Sequence, residues 1–196
     1  MDDVRVTNLN KAFGDHIVLR DVSMAFPGGR RTVVMGDSGC GKTTLLRILM
    51  GLETRDSGEV AGVPGRVSTV FQEDRLLEEF SAVSNIAFAA DKGVTRDAIL
   101  GHLAEVGLRE SAFQSVSELS GGMRRRVAIV RAMLAKKGLL LMDEPFKGLD
   151  EHNRDRTAAY IKRYSEGVTT IIVTHDADAA SLLDAQLARM HGHACH

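Results

Sequence analysis

Cysteine is scarce in this chain. Cys40 and Cys195 are the only two, too few for a disulfide framework, and their use fits a reducing compartment. An excess of charge of one sign is lacking as well. The 25 basic and 26 acidic residues leave a net charge of −1, so bulk electrostatics do not favour nucleic acid as a partner. No apolar run approaches the roughly 18 residues that suggest a membrane span, so any membrane role passes through a partner protein. The start, Met1-Asp2-Asp3-Val4, is acidic and has none of the basic-then-apolar layout of a secretory signal. Proline is rare (3 residues), and no repeat or low-complexity linker interrupts the 196 residues. That length suits one sizeable core with a subdomain better than two independent domains.

What is present is a series of short apolar runs separated by turns and helical patterns. Val4 to Leu9 and Val22 to Phe26 read as strands, with the Gly14-Asp15 turn between them and Pro27-Gly28-Gly29 after them. Arg31 to Met35 and Arg66 to Phe71 read as further strands, and Leu139 to Met142 and Thr169 to Val173 as fully buried ones. From about Glu78 to Lys137 the spacing turns helical, as in Ile99-Leu100-Leu103 and Val127-Ile129-Val130-Met133-Leu134. Buried strands separated by helices argue for a parallel sheet covered on both faces.

Between the strand Arg31–Met35 and a helix over Thr44–Met50 lies Gly36-Asp37-Ser38-Gly39-Cys40-Gly41-Lys42-Thr43, a match to G-x-x-x-x-G-K-[ST]. Gly36, Gly39 and Gly41 let backbone N–H groups of Ser38, Cys40, Thr43 and Thr44 converge on phosphate oxygens without side-chain clash. The helix that follows aims the positive end of its dipole at the same anion. Lys42 adds a charge for the β- and γ-phosphates, and the Thr43 hydroxyl suits Mg²⁺. The competing reading, a glycine-rich turn by chance, has neither the pattern nor the strand–loop–helix context on its side. Cys40, inside the loop and near the helix start, is expected to be open to thiol reagents and shielded by nucleotide.

Leu139-Leu140-Leu141-Met142-Asp143-Glu144-Pro145 puts two carboxylates at the C-terminal end of a buried strand, where open α/β sheets bind ligands. After a phosphate loop in the same chain, Asp143 is expected to hold Mg²⁺, directly or through water, and Glu144 to act as the base that polarises the attacking water. His175 ends the next apolar strand. It is either a donor to the γ-phosphate or a structural histidine.

Leu119-Ser120-Gly121-Gly122-Met123 opens a basic helix about 20 residues before the acidic strand. Ser120 can cap that helix, and Gly121 and Gly122 leave its N-terminus open to an anion. This stretch resembles the signature motif of the ABC ATPases, usually Leu-Ser-Gly-Gly-Gln, and the other motifs follow in the family's order over about Val4 to Met190. The resemblance implies that the signature meets a second ATP across a dimer, so that two nucleotides are sandwiched head to tail. It also implies that Gln72 is the glutamine that meets Mg²⁺ and attacking water and reports to a membrane partner, and that Leu149-Asp150 is the D-loop. Phe13 stands where the family keeps an aromatic that stacks on adenine, the other reading being a packed core phenylalanine. Phe71-Gln72-Glu73-Asp74-Arg75-Leu76-Leu77 and Glu144-Pro145-Phe146 look most like ATPases of the nitrate/sulfonate/taurine-type importers.

Met123, Arg125, Gly148 and Glu78-Glu79 depart from the commonest family residues, yet none removes a phosphate, metal or base group. The run Arg124-Arg125-Arg126 reads as a solvated helix face rather than a nucleic-acid patch. His191-Gly192-His193-Ala194-Cys195-His196 carries metal-capable side chains in a spacing that matches no closed zinc pattern.

The expected fold is therefore α/β: a P-loop NTPase core with a mainly parallel sheet, an N-terminal antiparallel β portion and an inserted α-helical subdomain. Residues 1–75 and 136–196 would form the core and residues 76–135 the subdomain. The chain ends soon after His175, so no C-terminal regulatory domain is expected. The resemblance implies an ATPase using ATP and Mg²⁺, cytoplasmic and bound to the inner face of the cell membrane through transmembrane permease subunits. Its partners would include a second ATPase subunit, identical or homologous, and for an importer an extracytoplasmic solute-binding protein. An exporter or lipid-extracting system could use the same motor. A soluble ATPase of translation or DNA repair would carry tandem cassettes, coiled-coil insertions or a basic surface, and none is in the sequence.

Overall fold

The computed structural model describes residues 2–190; the His/Cys-containing end at 191–196 lies outside them. Two long strands, β1 (Val4–Phe13) and β2 (His16–Phe26), form an antiparallel hairpin. Gly14 turns it at φ 59°, the left-handed conformation that a two-residue hairpin loop demands. Both strands outrun their sequence-derived ends. Asn8 and Asp21 adopt positive φ and break the alternation, while the Asn8 amide bonds the Asp21 carboxylate at 2.6 Å.

The chain continues through β3 (Arg31–Met35), α1 (Lys42–Leu49), β4 (Ser57–Ala61) and β5 (Val67–Val70). Then come α2 (Ala82–Ala87), α3 (Arg96–Glu105), a short 3-10 turn and α4 (Gly121–Leu134). The last third holds β6 (Leu139–Asp143), α5 (Glu151–Tyr164), β7 (Thr169–Val173), α6 (Ala179–Leu182) and β8 (Gln186–Arg189). The strands β2-β1-β4 make an antiparallel sheet. The order β5-β6-β7-β3-β8 makes a second sheet, in which every pairing is parallel.

The central strands β6 and β7 of the parallel sheet are buried on both faces, and side-chain alternation divides the core. Leu139, Leu141, Ile171, Val173 and Val34 face the side of α1 and the β1–β2 hairpin, where Leu9, Leu19, Phe26, Leu45 and Leu46 complete the packing. Leu140, Met142, Ile172, Val33 and Val70 face the other way, into a layer with Ile86, Leu103, Val127, Ile129 and Ile161. Each such aliphatic side chain contributes about 1.5–3 kcal/mol on burial. The helices between β5 and β6 therefore share an apolar layer with the sheet. No helix among the described residues is long and apolar enough to cross a membrane.

The C-terminal half of α3 is fastened to α5 by polar groups. Arg156 donates to the Ala104 and Glu105 carbonyls, each at 2.6 Å, and Tyr164 Oη donates to Glu105 Oε1 at 2.5 Å. His102 Nδ1 lies 2.9 Å from Tyr160 Oη, and its ring centroid is 4.6 Å from that of Tyr164. Burial disfavours the charged imidazole and lowers the His102 pKa from 6.5, against the opposing pull of Glu105. Below that value the unfolded chain binds a proton that the folded chain resists, so this contribution to stability is lost as pH falls from about 6.5. Thermal unfolding followed from about pH 7.5 to about pH 5.5 should fall more steeply in the wild type than in His102→Asn. Equal slopes in the two proteins would rule out His102 as the source.

Candidate nucleotide-binding site

The C-terminal ends of β3 and β6 open into one cavity of about 430 Å³. Its wall holds Ser38, Gly39, Gly41, Lys42, Thr43 and Thr44 on one side and Asp143, Glu144, Gln72 and His175 on the other. Val18 and Lys147 complete it, and neither was singled out by sequence.

The cradle is built by backbone conformation. Gly39 and Gly41 sit at φ 82° and 95°, where any side chain is strained, and an added Cβ at Gly41 would also meet Leu19 at 2.5 Å. Gly41 starts α1 with no side-chain cap and no acidic residue in the first turn, whereas Ser81, Thr95, Ser120 and Asp150 cap α2 to α5. The first N–H groups of α1 are thus left for an anion, with the helix dipole behind them. Lys42 Nζ folds back to the Gly36 and Asp37 carbonyls at 2.6 and 2.9 Å, across the loop it serves.

Gly36 and Cys40 lie beneath this surface. Gly36 passes against the Met190 carbonyl just after β8, where Met190 N–H donates to the Met35 carbonyl at 2.7 Å. The expected accessibility of Cys40 is not borne out. Its side chain is only 4% exposed, packs into the α1-side core and lies 3.7 Å from Lys42 Nζ. The loop turns this residue inward because the apolar thiol fills the space under Gly36.

Opposite the cradle, Thr43 Oγ1 donates to Asp143 Oδ2 at 2.9 Å. Asp143 is 5% exposed. Burial raises its pKa most, the Thr43 hydrogen bond opposes this, Glu144 adds to it, and Arg125 and Lys42 pull the other way. A hydroxyl and a buried carboxylate in contact, facing a phosphate cradle, form a hard oxygen donor set that fits Mg²⁺. Glu144 turns the chain at φ 50°, a left-handed conformation that costs a non-glycine residue about 1–3 kcal/mol. The turn sends its carboxylate to the end of β7. There Oε2 accepts from Thr174 Oγ1 at 2.8 Å, and Oε1 accepts from His175 N at 3.1 Å and lies 2.8 Å from His175 Nδ1. His175 is therefore partnered with Glu144 while its side chain stays 77% exposed. Thr174, unmarked in the sequence reading, could have been noticed as the hydroxyl preceding His175.

A second cavity of about 510 Å³ holds Ser120, Gly121, Gly122 and Asp150, and it shares Gln72 and Lys147 with the first. Ser120 Oγ caps α4 by accepting from Met123 N at 3.3 Å, and Asp150 caps α5 by accepting from Asn153 N at 2.8 Å. The reading of the arginine run as a solvated face is corrected. Arg125 and Arg126 are 3% and 7% exposed, their guanidinium groups spent on internal acceptors. Phe13 stands apart from the cavity wall. It is half-exposed at the hairpin tip with Lys11 Nζ 5.0 Å from its ring centre, so it is not a packed core residue.

Residues 19–147 match the family model described as ABC transporter. The chain is 39% identical over 190 residues to an aliphatic sulfonates import ATP-binding protein of Pseudomonas syringae pv. tomato, covering 96% of this chain and 81% of that protein. It is 43% identical over 182 residues to one from Nocardia farcinica, covering 90% and 73%. Its structure is similar to a bacterial ABC transporter cassette solved as a dimer, with a TM-score of 0.84 at 25% identity over 96% of this chain and 94% of that one. An ATP-bound bacterial Atm1-family ABC exporter has the same fold, with a TM-score of 0.84 at 21% identity over 96% of this chain and 37% of that one.

The close fit around Gly36 is testable. An alanine there would push its Cβ into the Met190 carbonyl and to 2.7 Å from Cys40 Sγ. Gly36→Ala should lower unfolding stability by about 1–3 kcal/mol, the usual cost of overpacking. A chemical-denaturation midpoint equal to that of the wild type would show that β8 yields freely.

Proposed function

The chain belongs to the ABC transporter family, and from that premise we propose that it is the ATP-binding and ATP-hydrolysing subunit of an importer, coupling a nucleotide-sandwich dimer to a separate transmembrane permease. One observation carries the reading. The uncapped start of α1 with Lys42 and Thr43 faces Asp143, Glu144, Gln72 and His175 across a single cavity. Import is supported by the names of the sulfonate relatives, and a sandwich dimer by the cassette solved as a dimer.

In this reading, backbone N–H groups from Ser38 to Thr44 and the Lys42 ammonium hold the phosphates of ATP. Thr43 and Asp143 hold Mg²⁺, with Gln72 beside them. Held there, Mg²⁺ would supply charge neutralisation on the phosphate oxygens. Glu144 accepts the proton of the attacking water as its oxygen bonds to the γ-phosphorus. The bond to the ADP oxygen breaks, releasing ADP and phosphate. His175 shares Glu144 Oε1 at 2.8 Å, so it fixes the base and stands ready to donate to the γ-phosphate. Ser120, Gly121 and Gly122 of a second subunit, identical or homologous, complete the site, with Asp150 near the subunit boundary. Phe13 reaches the adenine from the hairpin tip. Residues 76–135 form the helical subdomain that carries the signature, and the other described residues form the core. The subunit sits on the cytoplasmic face of the membrane, its Gln72 loop toward the permease, and an extracytoplasmic solute-binding protein delivers the cargo.

Replacing Glu144 by Gln removes the base and leaves the cradle intact. Hydrolysis should slow by about 10²–10⁴ while nucleotide binding persists, and MgATP should convert the monomer to a dimer in light scattering. Phosphate release within about threefold of wild type would displace Glu144 from its role.

Position 123 is a second test. A thioether is a poor substitute for an amide that bonds phosphate, yet the Met123 backbone N–H is already engaged by the Ser120 cap. Ser120 and the N–H groups of Gly121 and Gly122 then carry the contact across the dimer, and Met123→Gln should change the rate by less than about tenfold, under about 1.4 kcal/mol in barrier. A hundredfold activation in a phosphate-release assay would instead mark a degenerate signature that needs a different partner chain.

A further inference from the structure

Gln72, the Asp143–Glu144 bend and Ser120 come from three stretches far apart in sequence, and one buried side chain touches the backbone that carries the first two from the helix that carries the third. Arg125 lies on the second turn of α4 and is 3% exposed. Its Nη1 donates to the Phe71 carbonyl and to Asp74 Oδ1 at 2.9 Å. Its Nη2 donates to the Gln72 carbonyl at 3.1 Å, the Asp143 carbonyl at 3.1 Å and the Glu144 carbonyl at 3.0 Å. The guanidinium thus brackets the residue that faces the cation seat, the cation ligand itself and the left-handed turn that aims the base. Arg131, two turns on, donates to the Asp74 and Arg75 carbonyls at 2.8 and 2.7 Å and steadies the same loop.

We propose that Arg125 is a positioning residue for hydrolysis, clamping the Gln72 loop to the Asp143–Glu144 bend and both to the signature helix, so that the three respond to nucleotide as one body. Geometry sets the residue type. Four carbonyls and one carboxylate converge on a flat site. A guanidinium offers N–H donors in a fixed planar fork, a glutamine amide offers two, and a lysine offers three on a tetrahedral head. A lysine keeps the charge opposite Asp74 but loses the fork. A glutamine loses both and leaves Asp74, at 22% exposure, with only the longer-range pull of Arg124 and Arg131.

The catalytic part of the proposal rests on the ATPase reading, so the test has one readout that needs no activity. Arg125→Gln and Arg125→Lys are compared with wild type in the full chain. In nucleotide-free amide hydrogen exchange, Arg125→Gln should speed exchange at 71–76 and 143–147 together by at least about tenfold, with 169–173 unchanged. In steady-state hydrolysis, kcat should fall by about tenfold or more with KM for MgATP within about threefold, since the cradle is untouched. Arg125→Lys should lie between, and it carries both readouts if the Gln variant does not fold. Faster exchange at one segment alone, or unchanged exchange with kcat within about twofold of wild type, overturns the proposal. A wild-type chain that hydrolyses no ATP would refute the ATPase reading, while the exchange result would still decide the clamp.

Discussion

A carboxylate at the end of an all-apolar strand is the constraint around which this molecule is arranged. β6 is buried along its whole length and ends in Asp143, with Glu144 following at once. Two adjacent acids taken out of water cost several kcal/mol each unless donors or cations meet them. Three surrounding elements supply them. α1 brings Thr43 and Lys42, α4 brings Arg125, and the end of β7 brings Thr174 and His175. Of these, Thr43 and Lys42 also face the cavity in which the proposed nucleotide would sit.

The two-sided sheet makes that convergence possible. Because β6 alternates Leu139 and Leu141 toward α1 with Leu140 and Met142 toward the helical layer, it is gripped from both faces and its end cannot drift. Parallel pairing brings the ends of β3, β6 and β7 to the same edge. The phosphate loop and both carboxylates thereby share one cavity, although about 100 residues separate them in sequence.

The helical layer is coupled to that edge by polar contacts as well as by packing. Arg125 and Arg131 reach the backbone of the loop after β5, and Arg126 reaches the Val106 carbonyl and the Asn153 amide oxygen. Buried guanidinium groups that bond main-chain carbonyls tolerate little sliding, since each lost bond leaves a desolvated donor. The two cavities meet at Gln72 and Lys147, which line both.

Much of this was legible in the sequence, and the reason is local. The Gly36–Thr43 loop declares itself because Gly39 and Gly41 answer a backbone demand for positive φ that few other residues meet. β3 and β7 were legible end to end as β-branched runs, and Asp143-Glu144 as acids closing an apolar strand. β4 and β8 were not legible. They are mostly exposed edge strands, held to β1 and β3 by backbone hydrogen bonds that any residue can make, so no apolar pattern marks them. Helix α5 escaped notice because only Thr157, Ala158, Tyr160 and Ile161 of its 14 residues are buried. Tertiary structure alone decided the fate of Arg125, Cys40 and Thr174. Whether an arginine is solvated or clamps five acceptors, and whether a loop thiol faces ligand or core, depends on what packs against it from distant segments. Sequence determined which groups could do the chemistry; only the packed sheet and its two layers determined which of them meet.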